Sequence, residues 1–201
     1  MKQWLLNIRQ PGKRYTVWEG IRRILLCLML GILLGMLAKQ LDLVSHSGNS
    51  FWERALEWLD LRNFLSDFPF WLAVGLAIAV FAPSAFQAGD GVFFFFLGMC
   101  GAYHWYSVYV GGFNPSGYMR IWYGLTALSP VLGWLCWYAK GKGPIASGIQ
   151  TLIFTVLLLS CFGIGFGYFD FRGILYTATF LICVFMLNAN PRRTLCCPAL
   201  S

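Results

Sequence analysis

Long apolar runs separated by short polar segments are the dominant pattern along this chain. Each run approaches the roughly 20 helical residues that cross a bilayer. Because lipid offers no partners to backbone N–H and C=O groups, such runs form α-helices. We expect transmembrane helices over residues 24–44, 68–88, 92–112, 121–139, 145–167 and 173–188. The predicted fold is therefore an all-α membrane protein, a bundle of about six transmembrane helices.

The segment between the first two apolar runs has a different periodicity. Within residues 51–65, Glu53, Glu57 and Asp60 fall on one helical face, and large apolar side chains fall on the other. Ser50 followed by Glu53 matches the capping-box pattern at a helix start. These features predict one amphipathic helix that lies along the membrane interface.

Composition supports a membrane protein and excludes a soluble domain. Hydrophobic residues make up 58% of the 201 residues and charged residues 11%, whereas soluble domains carry roughly 25% charged residues. The net charge of +7 is a weak sign of nucleic-acid binding, because the Lys and Arg residues punctuate the apolar runs instead of forming one patch. The lipid bilayer is the predicted partner, and nucleic acid is not.

The distribution of positive charge predicts an orientation. Most Lys and Arg residues lie in residues 1–23, in the turn that holds Lys140 and Lys142, and in the tail with Arg192 and Arg193. Cytoplasmic segments are enriched in these residues. We therefore expect a basic cytoplasmic interfacial segment over residues 1–23, the membrane domain over residues 24–188 and a cytoplasmic tail over residues 189–201. The predicted location is the cell membrane, with several spans and both termini inside.

Helix breaks and close packing are predicted from proline and glycine. Residues 89–91, with Asp90 between two glycines, predict a tight turn between the second and third spans. Pro83 loosens the last turn of the second span and frees backbone groups that the protein must satisfy. Gly31 and Gly35 form a small-xxx-small pair, which lets another helix approach closely.

Polar residues within apolar runs are the candidates for function, because burying them costs free energy. Lys39 is expected to snorkel outward and pair with Asp42 three residues on. His104 is placed slightly beyond the middle of the third span, where it either binds a ligand or forms a neutral hydrogen bond with a neighbour. The candidate ligand pocket consists of His104, Trp105, Tyr109, Arg120, Trp122 and Asp170.

No residue pattern indicates catalysis, a cofactor site or a metal site. Asp90 and Asp170 lie on opposite sides of the predicted bundle, so they do not form an aspartyl protease pair. Asp170 and Arg172 are interpreted as a structural ion pair across a loop. Cys196 and Cys197 are either unmodified thiols at the interface or sites of acylation. We therefore expect a protein that is not an enzyme.

Several motifs carry a resemblance to a known family. They are the segment from Phe93 to Tyr103, Ser129-Pro130, the segment from Trp137 to Gly143, and the segment from Gly31 to Asp42. Together they resemble an uncharacterised family of small six-helix bacterial membrane proteins, mainly from Gram-positive bacteria, which implies no activity. We expect a non-enzymatic helical bundle that binds a partner protein, a lipid or a small solute. The alternative is a transport component similar to the substrate-binding subunits of energy-coupling-factor transporters, which dock through a small-xxx-small face like that of Gly31 and Gly35.

Overall fold

The computed structural model of the protein describes residues 2–12, 16–43, 58–165 and 167–188. Within these residues the chain forms eight helices and one two-stranded hairpin. The elements in chain order are α1 (Lys2–Ile8), α2 (Val17–Leu43), α3 (Leu61–Ser66), α4 (Phe68–Val80), α5 (Ala85–Tyr109), α6 (Ser116–Tyr138), α7 (Pro144–Cys161), β1 (Phe162–Gly165), β2 (Tyr168–Phe171) and α8 (Ile174–Asn188).

Three of these helices are long and apolar enough to cross a membrane, namely α2, α5 and α7. Helices α4 and α8 are apolar but shorter, with 13 and 15 residues. Helix α6 has 23 residues and carries Pro130 inside it. The structure therefore confirms a mostly helical chain that contains membrane-crossing candidates.

The helices that correspond to the predicted spans alternate in direction. At one end, the indole nitrogen of Trp137 in the last turn of α6 donates to Ala82 O after α4, at 2.8 Å. At the other end, the hydroxyls of Tyr118 in α6 and Tyr176 in α8 bond to Ser66 O and Asp67, which flank the start of α4. Helices α2, α5 and α7 thus begin at the end where α4, α6 and α8 finish.

The two ends differ in charge. We call the end where α2, α5 and α7 begin the basic end. Among the residues whose side chains the structure describes, its cations are Arg9, Arg22, Arg23, Lys140 and Lys142, and its acids are Glu19 and Asp90. The opposite end balances its cations with acids, which are Lys39, Arg62, Arg120 and Arg172 against Asp42, Asp60, Asp67 and Asp170.

Helices α2 and α5 pack backbone to backbone through glycines. A Cβ on Gly35 would lie 2.7 Å from Met99 O, and one on Gly31 would overlap Phe95 O. Gly98 makes the reciprocal approach, since a Cβ there would overlap Leu28 O. The small-xxx-small pair of α2 is therefore used within the chain, against α5.

The predicted turn at residues 89–91 is wrong. Helix α4 ends at Val80 and α5 begins at Ala85, with the Ser84 side chain accepting a bond from the Gln87 amide as N-cap. Pro83 lacks an N–H and ends the helical ladder, so proline and the capping serine together decide the break. Gly89 lies inside α5, where a Cβ would come 2.7 Å from Pro130 O. It is a packing glycine, and Asp90 is an exposed residue of α5.

The fifth predicted span also ends early, so the helix predicted to continue to residue 167 is wrong after Cys161. Helix α7 stops at Cys161, and β1 pairs antiparallel with β2, Gly163 lying opposite Asp170. Gly167 adopts a φ of +90°, which favours glycine at the tight return. Phe162 is buried against rings of the hairpin and of α8. Aromatic packing therefore replaces the last predicted helical turns.

The first helix and the amphipathic segment are also revised. Helix α2 begins at Val17 instead of residue 24, and α1 occupies part of the predicted interfacial segment 1–23. Of the amphipathic helix predicted over residues 51–65, the first seven residues lie outside the described part of the chain. The remainder includes the short helix α3. The predicted tail over residues 189–201 also lies outside it.

The contact between α2 and α5 generates a sharp stability test. Gly98→Ala should lower the free energy of unfolding by about 1–3 kcal/mol, because its Cβ must displace the α2 backbone. Gly101→Ala, one turn further along α5 with nothing within 4 Å, should be neutral or slightly stabilising. Thermal unfolding in detergent measures both. Equal effects of the two substitutions would contradict the close backbone approach.

Candidate ligand sites at the two ends of the bundle

His104 lies nearer a helix end than the sequence predicts. Because α5 spans Ala85–Tyr109, only five residues follow His104, which is about 7.5 Å at 1.5 Å per residue. Helix α5 begins at Ala85, seven residues before the predicted start of the span at residue 92, and ends at Tyr109, so His104 lies well past its middle. His104 Nδ1 forms a hydrogen bond with the Tyr123 hydroxyl of α6, and the two rings stack. The imidazole therefore has a local structural partner.

A shallow aromatic cleft of about 400 Å³ surrounds this pair and includes Trp105 and Tyr109. Of the predicted pocket, His104, Trp105 and Tyr109 are thus brought together. Trp122 is instead buried against Phe68 and Phe96 in the core.

The charged members of the predicted pocket do not line this cleft. Arg120 is an exposed residue in the first turns of α6. Asp170 lies on β2, opposite Gly163. Among the described residues, the lining of this cleft contains neither Arg120 nor Asp170, the charged groups that were expected to fix a solute.

Lys39 forms the predicted ion pair with Asp42, but it is buried instead of snorkelling. Its side chain is 6% exposed, and Nζ lies 3.2 Å from the carboxylate of Asp42. The hydroxyls of Tyr103 and Ser66 donate to the same carboxylate at 3.2 and 2.8 Å. Cation, anion and hydroxyls satisfy one another, so this cluster joins α2, α3 and α5 and has a structural role.

Arg172 was predicted to pair with Asp170, but in the structure it forms an ion pair with Asp67. The Arg172 guanidinium lies 3.0 Å from Asp67 and also donates to Ser160 O at 3.0 Å. The Tyr176 hydroxyl donates to the same Asp67 carboxylate. This arrangement connects the hairpin to the start of α4, an interaction that sequence separation concealed.

At the basic end, the break between α4 and α5 leaves carbonyl groups without helical partners. Each carbonyl accepts a bond from another part of the chain: Ile78 O from Arg23 at 3.1 Å, Val80 O from Arg9 at 3.1 Å, Ala82 O from Trp137 at 2.8 Å and Pro83 O from the Gly12 amide at 2.8 Å. Such groups are costly to leave unpaired in apolar surroundings. The structure therefore confirms the expectation that other parts of the protein supply hydrogen bonds to the backbone groups freed near Pro83.

These bonds hold the N-terminal segment against the bundle. Arg9 donates to Trp137 O as well as to Val80 O, and its guanidinium lies 4.2 Å from the Trp137 ring centre. The Lys142 amide donates to Ile8 O at 2.7 Å. A Cβ on Gly141 would collide with Ile8, so glycine is needed at this contact. Burial lowers the pKa of Arg9 to about 10, and the side chain stays protonated at neutral pH.

A cavity of about 480 Å³ lies between α1, the α4–α5 break and the turn after α6. Its lining includes Asn7, Arg9, Pro83, Lys140 and Lys142. The Lys140 Nζ is buried and has no hydrogen-bond partner among the described residues. It lies 4.4 Å from the centre of the Phe81 ring. Burial, and next the charge of Arg9, lower the pKa of Lys140.

Sequence reasoning missed this cavity because it treated every Lys and Arg of the basic end as a determinant of orientation. The sequence contains only local signs of this cavity. Two lysines flank Gly141 directly after α6, and Arg9 follows a short apolar helix. Only the fold shows that these two segments meet.

No family model, curated protein or solved structure matches the chain. Function is therefore inferred from the chain's own residues and their geometry. Of these two cavities, the one at the basic end is the larger, and that end carries the greater excess of positive charge among the described residues.

Proposed function

We propose that this chain is a non-enzymatic, six-span membrane protein that binds a ligand in the cavity of its basic end. The main support for the proposal is the cavity itself, which Arg9, Lys140 and Lys142 line and where Lys140 Nζ has no hydrogen-bond partner among the described residues. Ligand sites concentrate in such concave regions with a few placed polar groups. The cleft at His104 is a weaker candidate, because its imidazole is already bonded to Tyr123.

The six-span arrangement is supported by the alternation of α2, α4, α5, α6, α7 and α8 and by the charge of the ends. An excess of Lys and Arg at one end is typical of the cytoplasmic side. In this arrangement the cavity opens toward the cytoplasm, and both termini lie there. The shorter helices α4 and α8 reach across with the help of their flanking segments and local thinning of the bilayer.

The alternative of a transport component similar to energy-coupling-factor subunits has less support. That likeness needs a docking face on the first long helix. Gly31 and Gly35 pack against α5 within the chain, so they do not present such a face. The expected resemblance to small bacterial membrane proteins remains compatible with a binding role.

Orientation is tested by introducing one new cysteine at a time and labelling it with a membrane-impermeant thiol reagent in intact cells. The native cysteines that remain, namely Cys27, Cys100, Cys136, Cys161 and Cys183, are buried or partly buried. In a background with Cys196→Ser and Cys197→Ser, Asn114→Cys should react from outside, because residue 114 lies in the loop between α5 and α6. Ser147→Cys, at the start of α7, should react only after the membrane is permeabilised. Reaction of both positions in intact cells, or the reverse pattern, would contradict the six-span topology.

The binding role is tested by native mass spectrometry of the protein extracted from its membranes. The wild-type protein should retain a non-protein mass, which Lys140→Gln should lose because it removes the buried ammonium. His104→Ala is the matched control at the opposite end and should keep the ligand. A ligand-free wild-type protein, or retention that depends on His104 and not on Lys140, would overturn the proposal.

A further inference from the structure

The cations of the cavity have different roles. Both terminal nitrogens of Arg9 donate to main-chain carbonyls, so this side chain stabilises the main chain that forms the cavity wall. Lys140 brings an ammonium group that is buried without a hydrogen-bond partner in the described chain. The side chain of Lys142 is exposed beside it. Both lysines line the cavity, so their side chains are the candidates for contact with a ligand.

No carboxylate lines the cavity among the described residues. The acids of this end that the structure describes are engaged elsewhere or exposed, since Glu19 bonds to Thr16 and Asp90 lies on the surface of α5. A buried charge without a counter-ion is destabilising. An anion in the cavity offsets this cost, so the fold favours a negatively charged ligand.

We propose that the cavity binds a phosphate group, with Lys140 and Lys142 as its ligands. This inference rests on the binding role proposed above and names the class of ligand. Lysine binds phosphate as a point charge, and a phosphate group offers several acceptor oxygens to more than one ammonium. A volume of about 480 Å³ accommodates the group together with part of the molecule that carries it.

The surroundings of the cavity suit an amphipathic source of phosphate. Leu6, Ile8 and Pro83 supply apolar lining next to the charged groups, and the cavity lies where apolar helices end. Basic pockets at the cytoplasmic ends of membrane helices bind the headgroups of anionic lipids. Free phosphate presents the same chemistry, so the experiment must separate the two sources.

The test is native mass spectrometry of purified, delipidated protein with four probes. These are phosphatidylglycerol, phosphatidylcholine with the same acyl chains, inorganic phosphate and oleate. Preferential binding of phosphatidylglycerol assigns the site to a lipid headgroup, whereas binding of inorganic phosphate without phosphatidylglycerol assigns it to a soluble phosphate. Either result supports the inference.

Two results would overturn it. If oleate binds as well as the phosphate probes, so that any anion suffices, or if zwitterionic phosphatidylcholine binds as well as phosphatidylglycerol, so that no net negative charge is needed, the inference of an anionic phosphate ligand fails while the binding role stands. If the protein neither binds a probe nor carries any ligand from its membranes, both fail.

Variants locate the binding within the cavity. Lys140→Gln and Lys142→Gln should each weaken phosphate binding about tenfold, the effect of losing one charged hydrogen bond. Lys140→Arg should retain binding because it keeps the charge. Arg120→Gln, which removes an exposed cation at the opposite end, should bind like the wild type. Circular dichroism establishes that each variant is folded, and unchanged affinity in both Gln variants would contradict the assignment.

Discussion

The break between α4 and α5 is the constraint on which the basic end depends. Pro83 interrupts the helical ladder and leaves carbonyl groups without intrahelical partners, which are costly to leave unpaired. Arg23 of α2, Arg9 and Gly12 after α1, and Trp137 of α6 each supply a donor. One interrupted helix therefore draws three other parts of the chain to the same place.

The same bonds explain why a cavity forms there. Donation to main-chain carbonyls holds Arg9 and the segment after α1 against the break, and Gly141 lets Ile8 approach the turn after α6. The space left between them is walled by cations, because this end of the bundle carries most of the positive charge. The proposed orientation in a membrane and the proposed ligand binding thus depend on the same residues. The opposite end neutralises its charges internally through Lys39–Asp42 and Arg172–Asp67.

Apolar periodicity predicts that each long apolar run contains a helix, and the structure confirms a helix within each of the six runs. It also predicts the Lys39–Asp42 pair, which is local in sequence. Apolar periodicity fails to predict the helix boundaries that contacts between distant parts of the chain determine. Gly89 and Gly91 look like a turn, yet they lie within α5, Gly89 against α6. The residues from Phe162 onward look helical, yet they form a hairpin whose aromatic rings pack together. The cavity was missed because α1 and the turn after α6 are more than a hundred residues apart.

The docking of α1 on the broken helix is tested most directly by hydrogen exchange over residues 2–12 in lipid nanodiscs. A helix of 7 residues is unstable alone, so slow exchange in this segment requires its contacts with the bundle. If α1 docks on the bundle through Arg9, this segment should be protected from exchange in the wild-type protein and should lose that protection in Arg9→Ala. Protection in Arg22→Ala should equal that of the wild-type protein. Exchange at the rate of an unfolded peptide in the wild-type protein would contradict this docking.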